Sequence, residues 1–175
     1  MIRNKLLFVR PSKELESQAI EFKNEFFENG ETEINGSELL DKTDNYDKWL
    51  ENVTKNSSKE TVDPNWVVTD TFFAIRENDK KIIGIIDFRH ELNDFLKDFG
   101  HCGYSVRPSE RKKGYASEML KKILDIARQM GINEFQLSCK SSNVPSVKTI
   151  TNNGGIYNRS FKYNEETADI FLIKL

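Results

Sequence analysis

The sequence has few cysteines. There are two, Cys102 and Cys139, and neither belongs to a CxxC pair or lies in a histidine-rich segment. Two such residues cannot form the disulfide framework of a small secreted domain. They also do not provide the ligand spacing of a zinc or other metal site. We therefore expect a protein without structural disulfides and without a metal.

Long apolar runs and a strong net charge are missing as well. The apolar run within residues 1–9 is too short for a signal peptide or a membrane span. The net charge of −2 provides no overall attraction to nucleic acid or to an anionic membrane. A nucleic-acid-binding domain would also need a surface pattern of basic and aromatic residues that the sequence lacks. We expect a cytoplasmic protein that binds neither nucleic acid nor membrane.

What the sequence does contain is enough apolar material for one core. Apolar residues make up 37% and charged residues 31% of the 175 positions. A chain of this length buries about 70% of its unfolded surface in a single domain, here residues 1–175. The predicted order is a strand at 6–10, helices at 15–28 and 44–53, a hairpin between 71 and 88, a strand ending near 107, a helix at 116–130, a strand at 135–139, a short helix after Asn143, and a hairpin of 157–163 and 168–174.

The most informative stretch is residues 103–116, GYSVRPSERKKGYA, where a strand, a basic loop and a helix follow one another. Pro108 holds Arg107 extended and lacks the N–H that a continuing strand would need, so the strand ends there. Apolar residues at helical spacing over 116–130 predict a helix with one buried face, which ends at Gly131. The first N–H groups of a helix have no acceptor and carry partial positive charge. The stretch is typical of a phosphate-binding loop, although a helix start with solvated lysines would use the same residues.

The string R-x-x-G-x-A at 111–116, between a strand and an amphipathic helix, resembles the acyl-CoA pyrophosphate loop of the GNAT superfamily of N-acetyltransferases. The longer segment 100–116, GHCGYSVRPSERKKGYA, is similar to one branch of predicted acetyltransferases in that superfamily. A second similarity follows the strand that carries Cys139. There, Asn143 and Ser146 occupy the places of an Asn and a small residue that face the pantetheine arm in the family. Asn143 also suits the cap of the helix that it precedes.

The resemblance covers nearly the whole chain and implies the GNAT fold. This is an α/β domain of the α+β type, with a central mixed twisted sheet of about six to seven strands and about four helices. Because a helix connects the two strands, the one at 135–139 is expected to run parallel to its predecessor. In the family, the region between the first two strands walls the acceptor site. Its aromatic residues are also typical of core packing: Phe26, Phe27, Tyr46, Trp49 and Trp66.

The function that the resemblance implies is transfer of an acetyl group from acetyl-CoA to a primary amine by direct attack. The acceptor stays open, since a peptide N-terminus, lysine, polyamine, aminoglycoside or small metabolite would all fit. Dimerisation is common in similar proteins, so a homodimer is compatible with the resemblance. The implied cofactor contacts are Tyr104, Ser105, Val106, Arg111, Lys112, Lys113, Gly114, Tyr115, Ala116, Asn143 and Ser146.

Acetylation of an amine requires a way to remove its proton. A lysine-like amine with a pKa of ~10.4 is mostly protonated at pH 7, so a base, desolvation or an ordered water must help. For the base, His101 on the central strand comes first because an imidazole titrates near neutral pH. Asp87, His90 and Glu91 are the other candidates. The backbone N–H near Val106 would stabilise the thioester oxygen as its negative charge develops.

The proton donor to the departing thiolate is less clear from the sequence. Many family members place a tyrosine seven residues after the Asn that opens the helix, and here Ile150 occupies that place. Tyr157, Tyr104, Cys139 or water are the candidates to replace it. The absent tyrosine also keeps open a second interpretation, a non-catalytic CoA-binding or regulatory module, which CoA binding without turnover of any amine would favour.

Overall fold

A computed structural model describes residues 5–175 of the protein. Residues 1–4, part of the N-terminal apolar run, lie outside the described residues. None of the helices in the described part is long and apolar enough to cross a membrane. The elements in chain order are β1 (Leu6–Val9), α1 (Glu16–Glu28), α2 (Tyr46–Asn56), β2 (Thr69–Arg76), β3 (Ile82–Arg89), β4 (Tyr104–Val106), α3 (Tyr115–Gln129), β5 (Glu134–Lys140), α4 (Val144–Asn152), β6 (Ile156–Tyr163) and β7 (Glu166–Lys174).

The seven strands form two antiparallel sheets, with the orders β1-β2-β3-β4 and β5-β7-β6. In the first sheet, Thr71 of β2 lies opposite Asp87 of β3, and Ser105 of β4 lies opposite Ile85. In the second sheet, β7 pairs on one side with β5 and on the other with β6. The hairpin predicted near the C-terminus is therefore confirmed as β6 and β7.

The helices cover both faces of the first sheet. On one face, Phe22 of α1 and Trp49 of α2 pack against Phe73 of β2. On the other face, α3 and α4 bury a cluster that includes Ile86 of β3 and Ile150 of α4. Because successive side chains along a strand point to opposite faces of the sheet, the strands contribute residues to both of these cores. The α/β fold class predicted from the sequence is confirmed.

Capping side chains fix two helix starts. The Asn45 side chain accepts a hydrogen bond from the Lys48 N–H at 2.9 Å, so α2 begins at Tyr46 rather than at 44 as predicted. The Asn143 side chain accepts from the Ser146 N–H at 3.2 Å and caps α4 in the same way. Asn143 therefore has the capping role that was one of its two predicted roles.

The single mixed sheet expected from the resemblance is replaced by two sheets, and every strand pair in residues 5–175 is antiparallel. Apart from the paired strands, one bridge joins the two sheets, between Gly100 and Leu137. Beyond it, β4 follows β3 and β5 follows β7, so the two strands separate. β4 is short because Pro108 cannot extend the ladder. β5 was predicted to run parallel to its predecessor, but the two strands diverge and do not form a ladder in residues 5–175, where β5 pairs with β7 instead.

A close backbone contact holds the loop after α1 against the start of β4. A Cβ atom on Gly36 would lie 2.2 Å from the carbonyl oxygen of Gly103. Gly36 also has a positive φ of 76°. The Ser105 hydroxyl donates to the carbonyl of Asn35 at 2.8 Å and extends this contact by one residue. Only glycine at position 36 allows the two segments to approach this closely.

We predict that Gly36→Ala destabilises the fold by about 2–5 kcal/mol, because left-handed strain and a backbone clash add together. Gly30→Ala is the matched control. Gly30 has a similar φ of 80°, but a Cβ atom added there would have nothing within 4 Å, so this variant should lose only the strain, about 1–2 kcal/mol. Urea unfolding followed by tryptophan fluorescence measures both. Equal losses in the two variants would contradict the close contact.

Candidate active site

A run of free backbone N–H groups opens α3. Lys112 and Gly114 both have positive φ angles, of 62° and 85°. Left-handed residues in such turns are typical of concave backbone sites for anions. Within residues 5–175, none of the N–H groups over 112–117 has a hydrogen-bond acceptor. We call these groups the N–H cradle, and their arrangement at a helix N-terminus suits a phosphate.

The basic side chains of this loop are mostly engaged with acids. The Arg111 guanidinium binds Glu31 through two hydrogen bonds of 2.8 and 2.9 Å. Lys113 donates to Glu110 at 2.8 Å. Lys112 has no acidic partner in the described part of the chain. The capacity of the cradle to bind an anion therefore lies mainly in its backbone, with Lys112 as the available cation.

β4 directs alternate backbone groups toward the gap between the sheets. The N–H of Arg107 donates to Ile83 at 2.7 Å, and the carbonyl of Gly103 accepts from β3 at 3.1 Å. In an antiparallel ladder the intervening residues face the other edge. The N–H groups of Tyr104 and Val106 consequently point toward the gap. This edge can donate hydrogen bonds to an extended ligand that lies between β4 and β5.

A cluster of polar side chains lies where α4 meets β4 and β5. The hydroxyl groups of Tyr104 and Ser146 are 3.1 Å apart. Burial raises the pKa of Tyr104 well above its ordinary value of 10, so this phenol keeps its proton at neutral pH. Cys139 lies beside Ser146, and burial raises the pKa of its thiol too. The predicted residues Tyr104 and Ser146 are thus brought together by the fold.

The structure places the other predicted proton donor elsewhere. Tyr157 lies on β6 with 56% of its surface exposed, and its hydroxyl is 2.9 Å from that of Ser160. Ile150, at the place where many family members have a tyrosine, is fully buried. A Cβ atom on Gly155 would lie 2.4 Å from the Ile150 side chain, so this part of the core is tightly filled. We call the neighbouring hydroxyl groups of Tyr104 and Ser146 the hydroxyl cluster. Tyr157 does not belong to it.

His101 lies at the junction of the two sheets. Its N–H donates to the Gln136 carbonyl at 2.7 Å, and its Nδ1 accepts from the Gln136 N–H at 2.9 Å. Its ring stacks on Phe135 with centroids 4.9 Å apart. Burial lowers the pKa of His101, so the imidazole is neutral at pH 7. These contacts fasten β5 to the segment before β4, and the role of His101 as a base stays a prediction.

A cavity of about 550 Å³ opens on the face of the first sheet that α1 and α2 cover. Its walls come from the loop over 33–42, the end of α2, residues 63–66 and the end of β3. Two buried donors in its wall, Nε1 of Trp66 and Nε of Arg89, have no partner in the described residues. Lys42 and Arg89 are its cations, and its carboxyl groups belong to Glu33, Glu38, Asp41, Asp63 and Asp87. The surplus of carboxyl groups suits a cationic ligand.

Two of these carboxyl groups meet at the inner end of the cavity. Asp87 is 1% exposed, and its carboxylate accepts hydrogen bonds from the Gly103 N–H and, at 3.0 Å, from Arg89 Nη2. Glu38 lines the same cavity as Asp87, and its carboxyl group is close enough for the charge of Asp87 to act on it. Burial, followed by the nearby charge of Asp87, raises the pKa of Glu38 well above its ordinary value of 4.5. We call these two side chains the carboxyl pair.

Sequence reasoning included Asp87 among the candidate bases but missed Glu38. The segment over 31–42 is acidic and shows no helical or strand periodicity, so nothing local marks one of its acids. The nearest signal is the Asn35-Gly36 turn that precedes Glu38. In residues 5–175, no group of three or more His, Cys, Asp or Glu side chains is arranged to hold a metal ion. The groups present suit anion binding at the cradle and proton exchange at the carboxyl pair and at the Tyr104 hydroxyl.

Comparison with solved structures gives the same architecture. The microcin C7 self-immunity acetyltransferase MccE, solved with acetyl-CoA and AMP, has a TM-score of 0.73 at 14% identity, over 99% of this chain and 94% of that chain. The ribosomal-protein-S5-alanine acetyltransferase from Vibrio fischeri has a TM-score of 0.69 at 16% identity, over 97% and 91%. A GNAT-family acetyltransferase from Streptococcus pneumoniae has a TM-score of 0.67 at 14% identity, over 98% and 100%. At these identities the likeness establishes the fold.

The family follows from the sequence itself. A search of curated proteins found no match to the chain. The family model described as the acetyltransferase (GNAT) domain, however, matches residues 7–156, which include the N–H cradle, β4, the hydroxyl cluster and the carboxyl pair. Because this match spans most of the chain and the fold agrees with it, the chain belongs to the GNAT acetyltransferase family.

Proposed function

We propose that the protein transfers the acetyl group of acetyl-CoA to a primary amine by direct attack. The observation that carries the proposal is the N–H cradle, with six consecutive residues, 112–117, whose N–H groups lack an acceptor in residues 5–175. A pyrophosphate would satisfy several of these donors at once. That the MccE structure contains acetyl-CoA supports this choice of cosubstrate.

The residues present suit acetyl-CoA along the whole gap between the sheets. We assign the pyrophosphate to the backbone of residues 111–116 and the side chain of Lys112. The pantetheine arm then lies along β4, within reach of the backbone N–H groups of Tyr104 and Val106 and of the α4 start at Asn143 and Ser146. The cosubstrate supplies an acetyl group that is activated as a thioester. The Val106 N–H, which faces the gap, is placed to stabilise the developing negative charge on the acetyl oxygen.

The acidic cavity supports an amine as the acceptor. A protonated primary amine is attracted to a wall with five carboxyl groups and two cations. Holding this amine in its neutral, reactive form at pH 7 costs about 4.6 kcal/mol for a lysine-like pKa. The carboxyl pair lies at the inner end of the cavity, next to Gly103 at the start of β4, where it can take up a proton. The amine site thus lies on the α1 and α2 side of β4, beside the gap that is assigned to acetyl-CoA.

The second candidate is a non-catalytic acyl-CoA-binding module. It is favoured by Ile150, which is fully buried where many family members have a tyrosine. The two candidates differ in turnover and share cofactor binding. Release of free CoA thiol in the presence of an amine therefore distinguishes them.

The first test is thermal unfolding with acetyl-CoA and with a small adenine nucleotide. A ligand at 100 times its Kd adds ~2.7 kcal/mol, which raises the Tm of a chain of this size by roughly 5–11 °C. We expect this rise with acetyl-CoA alone, followed by thiol release with at least one member of a primary-amine panel. No Tm rise at a saturating concentration would overturn the cofactor assignment. A rise without turnover of any amine would favour the non-catalytic module.

We predict that Gly114→Asp lowers acetyl-CoA affinity at least tenfold, because it places a negative charge in the cradle. Gly131→Asp is the matched control, since Gly131 follows the same helix with a φ of 81° and has open space around its Cβ position. Both variants add the same side chain at a left-handed residue, but Asp is favourable at the N-terminus of α3 and unfavourable at its C-terminus, so Gly114→Asp should have at least the Tm of Gly131→Asp without ligand. Calorimetric titration with acetyl-CoA measures the affinities. An unchanged Kd for Gly114→Asp would remove the cradle as the pyrophosphate site.

We predict that Tyr104→Phe lowers kcat about 100-fold, because its partly buried, protonated hydroxyl is assigned as the donor to the CoA thiolate. The Kd for acetyl-CoA should hardly change. Tyr157→Phe removes the same atom from the exposed β6 and should keep its kcat. Thiol-release kinetics over a pH series compare the two. A loss in Tyr157→Phe with full activity in Tyr104→Phe would reverse the assignment.

A further inference from the structure

A tight turn with two left-handed residues brings Glu38 to the cavity that Asp87 also lines. Glu38 and the next residue, Leu39, both have positive φ angles, of 49° and 69°. Non-glycine residues rarely adopt this conformation, and two in succession persist only where the surroundings impose it. Such strain is concentrated at functional sites. Here the two residues are the central positions of a tight turn, which is closed by the Leu40 N–H donating to the Ser37 carbonyl at 3.2 Å.

Neighbouring contacts impose the strain. The Ser37 side chain is 1% exposed and donates to Asp41, while the Ser37 carbonyl accepts from Trp49 Nε1 at 2.9 Å. One residue earlier, Gly36 is pressed against Gly103 of the first sheet. The loop is thus anchored both to α2 and to the start of β4. These anchors fix the direction in which the Glu38 side chain leaves the backbone.

The partner of Glu38 cannot move away. Asp87 is held by the Gly103 N–H and by Arg89, which itself donates to the Gly100 carbonyl at 2.9 Å. Two neighbouring carboxyl groups away from solvent repel each other when both are ionised, and burial and the charge of Asp87 raise the pKa of Glu38, so one of the two keeps a proton near neutral pH. The carboxyl pair therefore shares a proton when the cavity is empty. The charged or titratable groups that act on the pair are Arg89, which favours the ionised form, and the buried thiol of Cys102.

We infer that Glu38 is the proton acceptor for the ammonium group of a cationic acceptor, and that Asp87 is its positioning residue. This inference rests on the acetyl transfer proposed for the same site. A cation entering the cavity lowers the pKa of a nearby carboxyl group, so its arrival favours release of the shared proton to solvent. The free donors Trp66 Nε1 and Arg89 Nε provide hydrogen bonds for an oxygen of the same ligand.

The proton balance of the step is complete. The ionised Glu38 carboxylate takes one proton from the ammonium nitrogen, so an N–H bond breaks and an O–H bond forms. The freed lone pair forms the C–N bond with the acetyl carbon, and the C–S bond breaks. The nitrogen then loses a second proton. One of the two protons ends on the CoA sulfur and the other leaves to solvent through Glu38.

The kinetic test compares Glu38→Gln with the wild type, using spermidine, lysine methyl ester and a lysine-containing peptide as acceptors. Glutamine keeps the size of Glu38 and can donate a hydrogen bond, as the protonated acid can, but it cannot accept a proton. We expect kcat/KM at pH 7 to fall at least 100-fold and the part of its rise with pH that comes from Glu38 to disappear, which leaves only the rise toward the pKa of the amine itself, while the acetyl-CoA Tm shift is retained. Glu28→Gln, which removes an exposed carboxylate at the end of α1, should behave as the wild type.

Asp87→Asn tests the positioning role. The amide oxygen can still accept from Gly103, but the negative charge beside Glu38 is lost. The rise of kcat/KM with pH should therefore move to lower pH, because Glu38 then ionises more easily. A purely structural role for Asp87 would lower the rate without moving the profile. That result would overturn its assignment as the positioning residue.

Stability gives a readout that does not depend on catalysis. Glu38 keeps its proton in the folded state and loses it near pH 4.5 when unfolded. The folded state then binds more protons, so the wild type loses stability as the pH rises from about 4.5 through the folded pKa. Glu38→Gln does not have this loss. The Tm difference between Glu38→Gln and the wild type should increase in favour of the variant between pH 5 and pH 8.

The outcomes separate this inference from the proposed function. If the wild type releases thiol with an amine, but Glu38→Gln retains full kcat/KM with an unchanged pH profile, the inference fails and the proposed function stands. If the Tm difference between Glu38→Gln and the wild type does not change with pH, the carboxyl pair does not share a proton and the inference fails. If the wild type acetylates none of the amines, the proposed function fails, and the inference fails with it.

Discussion

The divergence of β4 from β5 is the constraint on which the rest of the site depends. A strand inside a sheet gives its backbone donors to neighbours on both sides, whereas β4 has a neighbour on one side only. Pro108 ends β4, and the left-handed Gly100 forms the single bridge to β5 before the strands separate. Unpaired N–H groups of β4 and of the turn that follows are therefore available to a ligand. Because the ligand replaces a missing strand partner, the fold itself defines where it can lie.

The first sheet separates two kinds of proton chemistry. The partly buried phenol of Tyr104 lies on the face covered by α3 and α4, and the carboxyl pair lies toward α1 and α2. Burial raises the pKa of both Tyr104 and Glu38, but the consequence differs. A phenol with a raised pKa is a proton donor only, whereas a carboxyl group with a raised pKa is able to exchange a proton near neutral pH. The proposed proton donor, Tyr104, and the proposed proton acceptor, Glu38, thus lie on opposite sides of the first sheet.

The ion pairs around the N–H cradle position its backbone and do not occupy the place of the anion. Arg107 is 2% exposed and joins the end of β4 to Glu21 and Glu25 of α1, and Arg111 joins the loop to Glu31 just beyond α1. A single exposed ion pair contributes little to stability. A buried guanidinium with carboxylate partners on one helix fixes that helix relative to the strand, because losing either partner leaves a buried charge. The basic character of the loop, which suggested anion-binding side chains, thus serves largely to position the backbone.

Local sequence determined the elements and the cradle. The helical spacing over 116–130, the strand ended by Pro108 and the glycine at 114 act within a few residues of each other, so the strand, loop and helix could be predicted together with the family resemblance. Three features could not be predicted from local sequence. They are the carboxyl pair, the position of Tyr157 away from the hydroxyl cluster, and the pairing of β5 with β7. Glu38 and Asp87 are far apart in the chain, and nothing near either residue encodes the other. Only the packing of the strained loop against β4 brings them together, because burial and mutual proximity, which set the chemistry of a carboxyl group, are properties of the folded chain.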